Sequence, residues 1–429
     1  MQLGLAEPRI DFAPFERRLS TNDAAPVAIA LSGGGDSLAL LLATERWAAR
    51  AGRRLLALTV DHGLQPDGAR WAHWAGQRAR RLGIQHRTLH WDGDKPVAGL
   101  PAAARAARHR LLAEAARAAG ARVILLGHTA DDCLEAAAMR AAGSTTPTPR
   151  EWSPSPVWPQ GRGIFLFRPL LSLRRADLRA WLAAEGEDWI DDPANDDPRY
   201  ARARARRTLA DDPARLACYL EPVGADAHDI AFGSAGECRL ARDKLTGLGV
   251  REQRRWLSAL LLCASGGDTP PRAAQLDRLA EQLASVDDIT AVLAGARIEA
   301  RGDRLLVCRE AGEFRRGGPS EACLSVGETV FDGRFLLIAA EPGWTVRPLR
   351  GVAKTLSAAE RRGLAGLPAA VRGALPVVTG PDGTCFCPVL AQDRPILAFA
   401  LGAERLAAAL GAIQNEASIE RVAKPSTGA

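Results

Sequence analysis

The stretch VAIALSGGGDSLALLL, Val27 to Leu42, decides the fold. Val27–Leu31 is an unbroken apolar run of strand length. Ser32–Ser37 follows as S-G-G-G-D-S, and the apolar residues after Ser37 recur with helical spacing. A strand that runs through a glycine-rich turn into a helix is suited to phosphate. Backbone N–H groups in the turn and the positive end of the helix converge on an anion.

Two common phosphate loops do not match. A Walker A loop carries G-x-x-x-x-G-K-[ST], and no lysine lies in or near Ser32–Ser37. A dinucleotide fingerprint carries G-x-G-x-x-G. Gly33 and Gly35 fit it, but Leu38 stands at the third position. Ser32, Gly33, Gly34, Gly35, Asp36 and Ser37 are therefore read as a cradle for nucleotide phosphates. Asp36 beside phosphate is sensible when Mg²⁺ bridges the two, so Asp36 is the expected metal ligand.

The chain has 429 residues, 47% hydrophobic and 25% charged, which excludes wholesale disorder and leaves room for two or three domains. Net charge is +6, and residues 51–150 hold 15 Lys+Arg against 8 Asp+Glu. That surplus permits a polyanionic partner. Eight cysteines are scattered without a C-x-x-C pair, as in a protein of a reducing compartment. The first residues lack the apolar core of a signal peptide, and no segment has the ~20 apolar residues of a membrane span. The expectation is a soluble cytoplasmic protein with no membrane contact.

Short β-rich runs alternate with alanine-rich amphipathic stretches up to about residue 185. Strands are expected at Val27–Leu31, Leu55–Val60, Gln85–Trp91, Val123–Leu126 and Ile164–Phe167. Helices are expected at Ser37–Ala51, Gly68–Leu82, Leu100–Ala119 and Asp131–Ala141. This alternation predicts an α/β fold, a doubly wound parallel sheet whose ligands bind beyond the carboxyl ends of the strands. The expected division is an α/β domain over 1–213, a helical linking region over 214–287, an α+β region over 288–424 and a disordered tail over 425–429. The Pro/Ser/Thr-rich segment 143–163 reads as a lid or a linker.

The residues after the strands carry further motifs. TVDHGLQPDG (Thr59–Gly68) ends the second strand, and ARAARHRLL (Ala104–Leu112) places Arg105 and Arg108 one helical turn apart. LLGHTADDCLEA (Leu125–Ala136) sets Asp131, Asp132 and Glu135 at the start of a helix, where carboxylates favour the dipole. FRPLLSLRRADL (Phe167–Leu178) and DDPANDDPRYARARARR (Asp191–Arg207) follow. Each alone has an ordinary reading as a turn, a helix cap or a solvated helix face.

The S-G-G-G-D-S loop resembles that of the ATP pyrophosphatases, which cleave ATP between its α and β phosphates. The order and spacing of all these motifs over about residues 26–207 resembles the tRNA(Ile)-lysidine synthetases. Gln65 stands where that family has Arg, His109 where it has Tyr, and Cys133 where it has Gln.

The resemblance implies ATP and Mg²⁺ as cofactors, with free L-lysine and a tRNA(Ile) bearing a CAU anticodon as substrates. The cytosine C2 oxygen would attack the α-phosphate, and the lysine amine would then displace AMP. Asp61 and His128 would border the adenosine and phosphates, and Arg105 would face the lysine carboxylate. Asp132 and Glu135 would face its amino groups, and one of them would serve as the base that an ε-ammonium of pKa about 10.4 requires. Asp36, Asp132 and Glu135 are thus the expected catalytic residues. Arg105, Arg108, Asp131, Arg202, Arg204 and Arg206 complete the expected lysine and tRNA contacts, the last three as phosphate ligands. A homodimer is compatible with this reading. The alternative is another tRNA-modifying enzyme with the same loop, such as a 2-thiolase.

Overall fold

The computed structural model describes residues 10–144, 146–192, 201–210, 230–316, 321–391 and 394–423. It divides into two compact units. Among the described residues, one holds everything up to Ala210 together with Ile413–Ala423, and the other runs from Ile230 to Ala412.

The first unit contains α1 (Ala13–Arg18), β1 (Val27–Ala30), α2 (Gly35–Ala51), β2 (Leu55–Asp61), α3 (Gly68–Arg81), β3 (Gln85–His90), α4 (Leu100–Ala118), β4 (Val123–Leu125), α5 (Ala130–Ala141), β5 (Trp152–Pro154), β6 (Phe165–Phe167), α6 (Arg175–Ala184) and α7 (Ala201–Ala210). Its sheet has the order β3-β2-β1-β4-β6-β5. All pairs are parallel except β5–β6. This is the expected doubly wound sheet, and the four expected helices form within two residues of their expected ends.

Composition explains the strand order. β1 and β4 are buried on both faces, with Val27, Ala28, Ile29, Val123, Ile124 and Leu125 fully covered. An unbroken apolar run suits a central parallel strand. β3 reads Gln-His-Arg-Thr-Leu-His and lies at the sheet edge. Chain direction across the sheet reverses between β1 and β4, so the loops leaving these two strands open a crevice.

The Pro-rich segment 143–163, read from sequence as a lid or a linker, contributes to the sheet. It contains β5, which pairs Trp152 with Phe167 and Pro154 with Phe165. Trp152 stacks on Phe165 with ring centroids 5.2 Å apart. A proline in a three-residue edge strand costs no ladder bond, and three residues carry no periodicity to read.

The second unit begins with β7 (Ala231–Phe232) and β8 (Cys238–Ala241), followed by α8 (Asp243–Thr246), α9 (Val250–Ser265), α10 (Ala273–Ser285), β9 (Asp288–Leu293), β10 (Ala296–Arg301) and β11 (Arg304–Arg309). These strands form a sheet of order β7-β8-β11-β10-β9. Leu257, Leu260, Leu276 and Leu279 of α9 and α10 share one core with Ile298, Ala300 and Val307. The structure therefore does not divide at residue 287, and the region before it is not purely helical. The apolar faces of α9 and α10 are covered by strands that come later in the chain, and local periodicity cannot register such long-range pairing.

The remainder holds β12 (Ala322–Cys323), β13 (Gly327–Phe331), β14 (Phe335–Ala339), β15 (Thr345–Pro348), α11 (Ala358–Ala365), α12 (Ala369–Arg372), β16 (Pro376–Thr379), β17 (Cys385–Phe386), β18 (Ile396–Ala400) and α13 (Gly402–Ala409). Two small antiparallel sheets, β12-β15-β16-β17 and β13-β14-β18, share a second core that includes Phe335, Leu337, Val377 and Phe386. The chain then contributes α14 (Glu416–Ala423) to the first unit. The expected α+β region thus gives up its last described residues to the catalytic unit. The expected tail 425–429 and residues 193–200 of the DDPANDDPRY stretch lie outside the described residues.

Candidate active site

Gly33 turns the chain after β1 with a φ of 91°, a conformation natural only to glycine. A Cβ there would lie 2.7 Å from Ile190 Cδ1, and the Ile190 N–H donates to the Gly33 carbonyl at 3.0 Å. Gly34 caps α2 without a side-chain partner, so the helix presents backbone N–H groups to the crevice. The Ser32 and Ser37 hydroxyls lie 3.1 Å apart, and Ser37 Oγ donates to the Gly34 carbonyl at 2.8 Å. Across the crevice, Gly127 lets the loop after β4 approach the first turn of α2. A Cβ on it would lie 2.9 Å from the Asp36 carbonyl oxygen.

This crevice is a cavity of about 710 Å³, lined by the glycine-rich loop, Asp61, His62, Gln65, Arg108, His109, His128, Asp132, Arg175 and Arg206, among others. Such a volume suits a nucleotide-sized ligand.

Asp36 is in the first turn of α2. Its Oδ2 accepts from Arg175 Nε at 2.9 Å, whereas its buried Oδ1 accepts no hydrogen bond. Burial pushes the Asp36 carboxyl above the usual range, against the opposing pull of Arg175. Arg175, the first residue of α6, also donates to Glu135 Oε1 at 3.1 Å and lies 3.7 Å from Asp132 Oδ2. One guanidinium thus joins the phosphate loop to the α5 carboxylates. Its own pKa is raised, burial notwithstanding, by Asp36, Glu135 and Asp132. Sequence reasoning quoted the R-R pair and assigned it no role.

The α5 carboxylates do three different things. Asp132 Oδ2 accepts from the Thr129 N–H at 2.9 Å and the Thr129 hydroxyl at 3.1 Å, fixing the start of the helix. Its Oδ1 faces Arg202 at 3.6 Å. Glu135, 1% exposed, takes Arg206 Nε on Oε1 at 2.6 Å, while its Oε2 accepts no hydrogen bond and lies 3.7 Å from Arg202.

Asp131 points elsewhere. It accepts from Arg174 at 3.0 and 3.1 Å and from the Arg175 N–H at 2.8 Å, which ties α5 to the start of α6. Burial raises its pKa, but these hydrogen bonds outweigh burial and hold it below the usual carboxylate range. Asp131, like Glu135, is absent from the cavity lining, and its described partners are Arg174 and Arg175 at the start of α6.

Among the expected arginines, Arg108 lines the cavity and Arg105 is exposed outside its lining. Arg108 makes no hydrogen bond or ion pair with the described residues. Burial and the like charges of Arg105 and Arg202 lower it to about 10. Arg202 and Arg206 turn toward Asp132 and Glu135, whereas Arg204 is exposed. The expected trio of phosphate ligands is therefore split, because alternate residues of a helix cannot share one face. The Arg207 side chain lies outside the described residues.

Asp61 ends β2, with Oδ1 accepting from the Gly63 N–H at 2.9 Å. His128 Nδ1 accepts from Arg168 Nε at 3.1 Å. Burial and the Arg168 charge push the His128 pKa well below its ordinary value, so the ring is neutral and carries its proton on Nε2. Arg168 is itself held by the Arg150 carbonyl at 2.7 Å and Ser153 Oγ at 3.1 Å. The Pro-rich segment thus positions a cavity histidine through Arg168, a link that nothing local in the sequence announces. Cys133 is packed near the Pro149 carbonyl, away from the cavity lining.

A phosphate-binding loop at the switch point of a doubly wound sheet, facing a cluster of carboxylates, defines an ATP-using enzyme domain. Residues 12–212 match the family model described as a PP-loop domain. The chain is 46% identical over 411 residues to a tRNA(Ile)-lysidine synthase from Caulobacter vibrioides, covering 94% of this chain and 98% of that protein. It is 39% identical to one from Hyphomonas neptunium, over 74% of this chain and 90% of the relative. A third, from Rhizobium meliloti, is 34% identical over 75% of this chain and 74% of the relative. The chain belongs to the tRNA(Ile)-lysidine synthase family, whose members are PP-loop ligases. No described helix is long and apolar enough to cross a membrane.

Proposed function

We propose that this enzyme joins free L-lysine to C2 of the wobble cytidine of a tRNA(Ile) with a CAU anticodon, in the cytoplasm. The observation that carries this reading is the carboxylate cluster of Asp36, Asp132 and Glu135 beside the phosphate loop, bridged by Arg175. Three buried or half-buried acids collected by guanidinium groups form a site for cations. A diammonium substrate and a divalent metal are the cations this reaction brings.

In the first step the cytosine O2 attacks the α-phosphorus and the bond to the β-phosphate oxygen breaks, releasing pyrophosphate. The backbone of Gly33–Gly35 and the hydroxyls of Ser32 and Ser37 cradle that leaving group. Arg108 supplies positive charge from the opposite wall. The free Asp36 Oδ1 fits a Mg²⁺ ligand, and Mg²⁺ there would neutralise charge on the phosphates.

In the second step the lysine Nε attacks C2, the C2–O bond breaks and AMP leaves. The amine must lose a proton before it attacks. Glu135 Oε2, which accepts no hydrogen bond among the described residues, and Asp132, which lines the cavity, are the two candidate acceptors. Arg105 is left as an outer contact for the lysine carboxylate.

The test is incubation with ATP, Mg²⁺, labelled lysine and transcripts of tRNA(Ile) or of a methionine tRNA sharing the CAU anticodon. Label on the isoleucine transcript alone, with one AMP released per lysine, is the expected result. Pyrophosphate release without label would refute lysine as the nucleophile.

A further inference from the structure

His109 is 3% exposed and lies on the inner face of α4, in the lining of the cavity. Neither of its ring nitrogens has a hydrogen-bond partner among the described residues. Native interiors leave few polar atoms in this condition, because each unmade hydrogen bond costs free energy. The surroundings narrow what could satisfy them. Leu58, Leu112 and Leu126, which share one core cluster, also line the cavity, and Arg108 stands one residue away in the same lining.

Burial and the charges of Arg108, Arg105 and Arg168 push the His109 pKa down to about 2, so the ring is neutral at any working pH. A neutral imidazole offers one donor and one acceptor. The neighbouring arginines repel an ammonium group, and a free anion would seek Arg108 rather than an uncharged ring. An apolar slot with a neutral donor or acceptor, beside a cation that is unpaired among the described residues, matches a flat heterocycle carrying phosphate.

We propose that His109 is a specificity residue that hydrogen-bonds the edge of a nucleobase in the cavity. This rests on the proposed function, which brings two bases to the site, the adenine of ATP and the wobble cytosine. It goes beyond that reading by naming a residue for base recognition, at a position where this sequence departs from the family pattern.

The experiment compares the wild type with His109→Phe, which keeps a flat ring and removes both nitrogens, and with His109→Gln, which restores a donor and an acceptor. KM is measured for ATP and for purine riboside triphosphate, which lacks the exocyclic amine. Affinity is measured for the CAU transcript and for the same transcript made abasic at the wobble position. If the base is adenine, His109→Phe raises the KM for ATP about tenfold with little change in kcat, and the wild-type preference for ATP over the analogue shrinks. If it is cytosine, ATP parameters hold, while the preference for the intact over the abasic transcript is lost. Recovery of the affected preference in His109→Gln would support either arm.

Both preferences unchanged in a folded His109→Phe protein that still makes lysidine would overturn the inference. If that variant does not fold, His109→Leu takes its place under the same criteria. A wild-type protein that makes no lysidine would instead refute the proposed function, and the ATP and transcript measurements would still report on His109.

Discussion

Glu416 and the Asp36–Asp132–Glu135 cluster, both in the first unit, each bury carboxylate oxygens and use them differently. Glu416 of α14 is fully covered by Arg53, with Nη1–Oε2 at 2.8 Å and Nη2–Oε1 at 2.9 Å. The Ser20 N–H adds a third bond at 3.0 Å, and Arg53 also donates to the Ser20 and Ala25 carbonyls. Every Glu416 oxygen is used. Asp36 and Glu135 each keep one buried oxygen without a hydrogen bond. The first arrangement is closed and holds residues 413–423 onto the N-terminal unit. The second retains acceptor capacity, as a site that must exchange internal partners for substrate does. Between these two sites, burial of a charge does not tell a closed arrangement from an open one, whereas the unused acceptors do.

This contrast is broken most directly at Asp36. Replacing it with Asn is expected to lower lysidine formation about 100- to 1000-fold, as loss of one charge-stabilising group does. The melting temperature at pH 7 should hold or rise. The sign follows from the raised pKa. Ionised Asp36 costs stability, a cost absent below its unfolded-state value and fully present once pH exceeds the higher folded-state value. The gain from Asp36→Asn should therefore vanish on acidification. A melting temperature that drops at pH 7 would make Asp36 a structural acid like Glu416.

Glu416→Gln should do the reverse. Stability measured by denaturant is expected to fall by about 3–5 kcal/mol, the usual consequence of breaking one buried pair. Activity per folded molecule should stay near wild type. A large fall in kcat at full folding would instead tie α14 to the reaction.

Asp132→Asn sharpens the difference within α5. Lysine transfer should fall about tenfold more than ATP-dependent pyrophosphate release, one hydrogen bond to a charged group being at stake. Equal losses in both half-reactions would assign Asp132 to the helix cap alone. The smallest effect belongs to Asp131→Asn, expected to cost about 1 kcal/mol at neutral pH because this pair is partly solvated. Its folded-state pKa is lowered, so the stabilisation is present above the unfolded value and lost as pH falls through the folded value. kcat should be unchanged, and a catalytic defect would return Asp131 to the substrate site.

Legibility in the sequence followed the range of the interactions. The Ser32–Ser37 loop was readable because a strand, a turn and a helix start are set by consecutive residues. Asp61, His128 and Asp132 were readable as cavity residues because each follows a strand end in a fold whose strand ends meet. Arg175 was not, although its motif was quoted. Arg174 and Arg175 are neighbours of the same type, yet one clamps Asp131 and the other reaches Asp36, 139 positions away. The spacing of the α7 arginines was visible, but that Arg202 and Arg206 face Asp132 and Glu135 was not. Likewise β8 pairs with β11 across the intervening helices, and no window of local sequence spans that distance.

The sequence by itself determined the parallel sheet, the phosphate loop at its switch point and the set of acids and arginines available for chemistry. These depend on local propensity and on short motifs whose geometry is nearly autonomous. Only the tertiary structure decided which of those side chains are consumed in holding the fold and which keep bonding capacity for a ligand. Asp131 and Asp132 are adjacent and identical in type, and one locks α6 in place while the other faces the cavity. The difference arises because a side chain's partners are chosen by the packing of distant segments, and free acceptors are whatever that packing leaves unpaired.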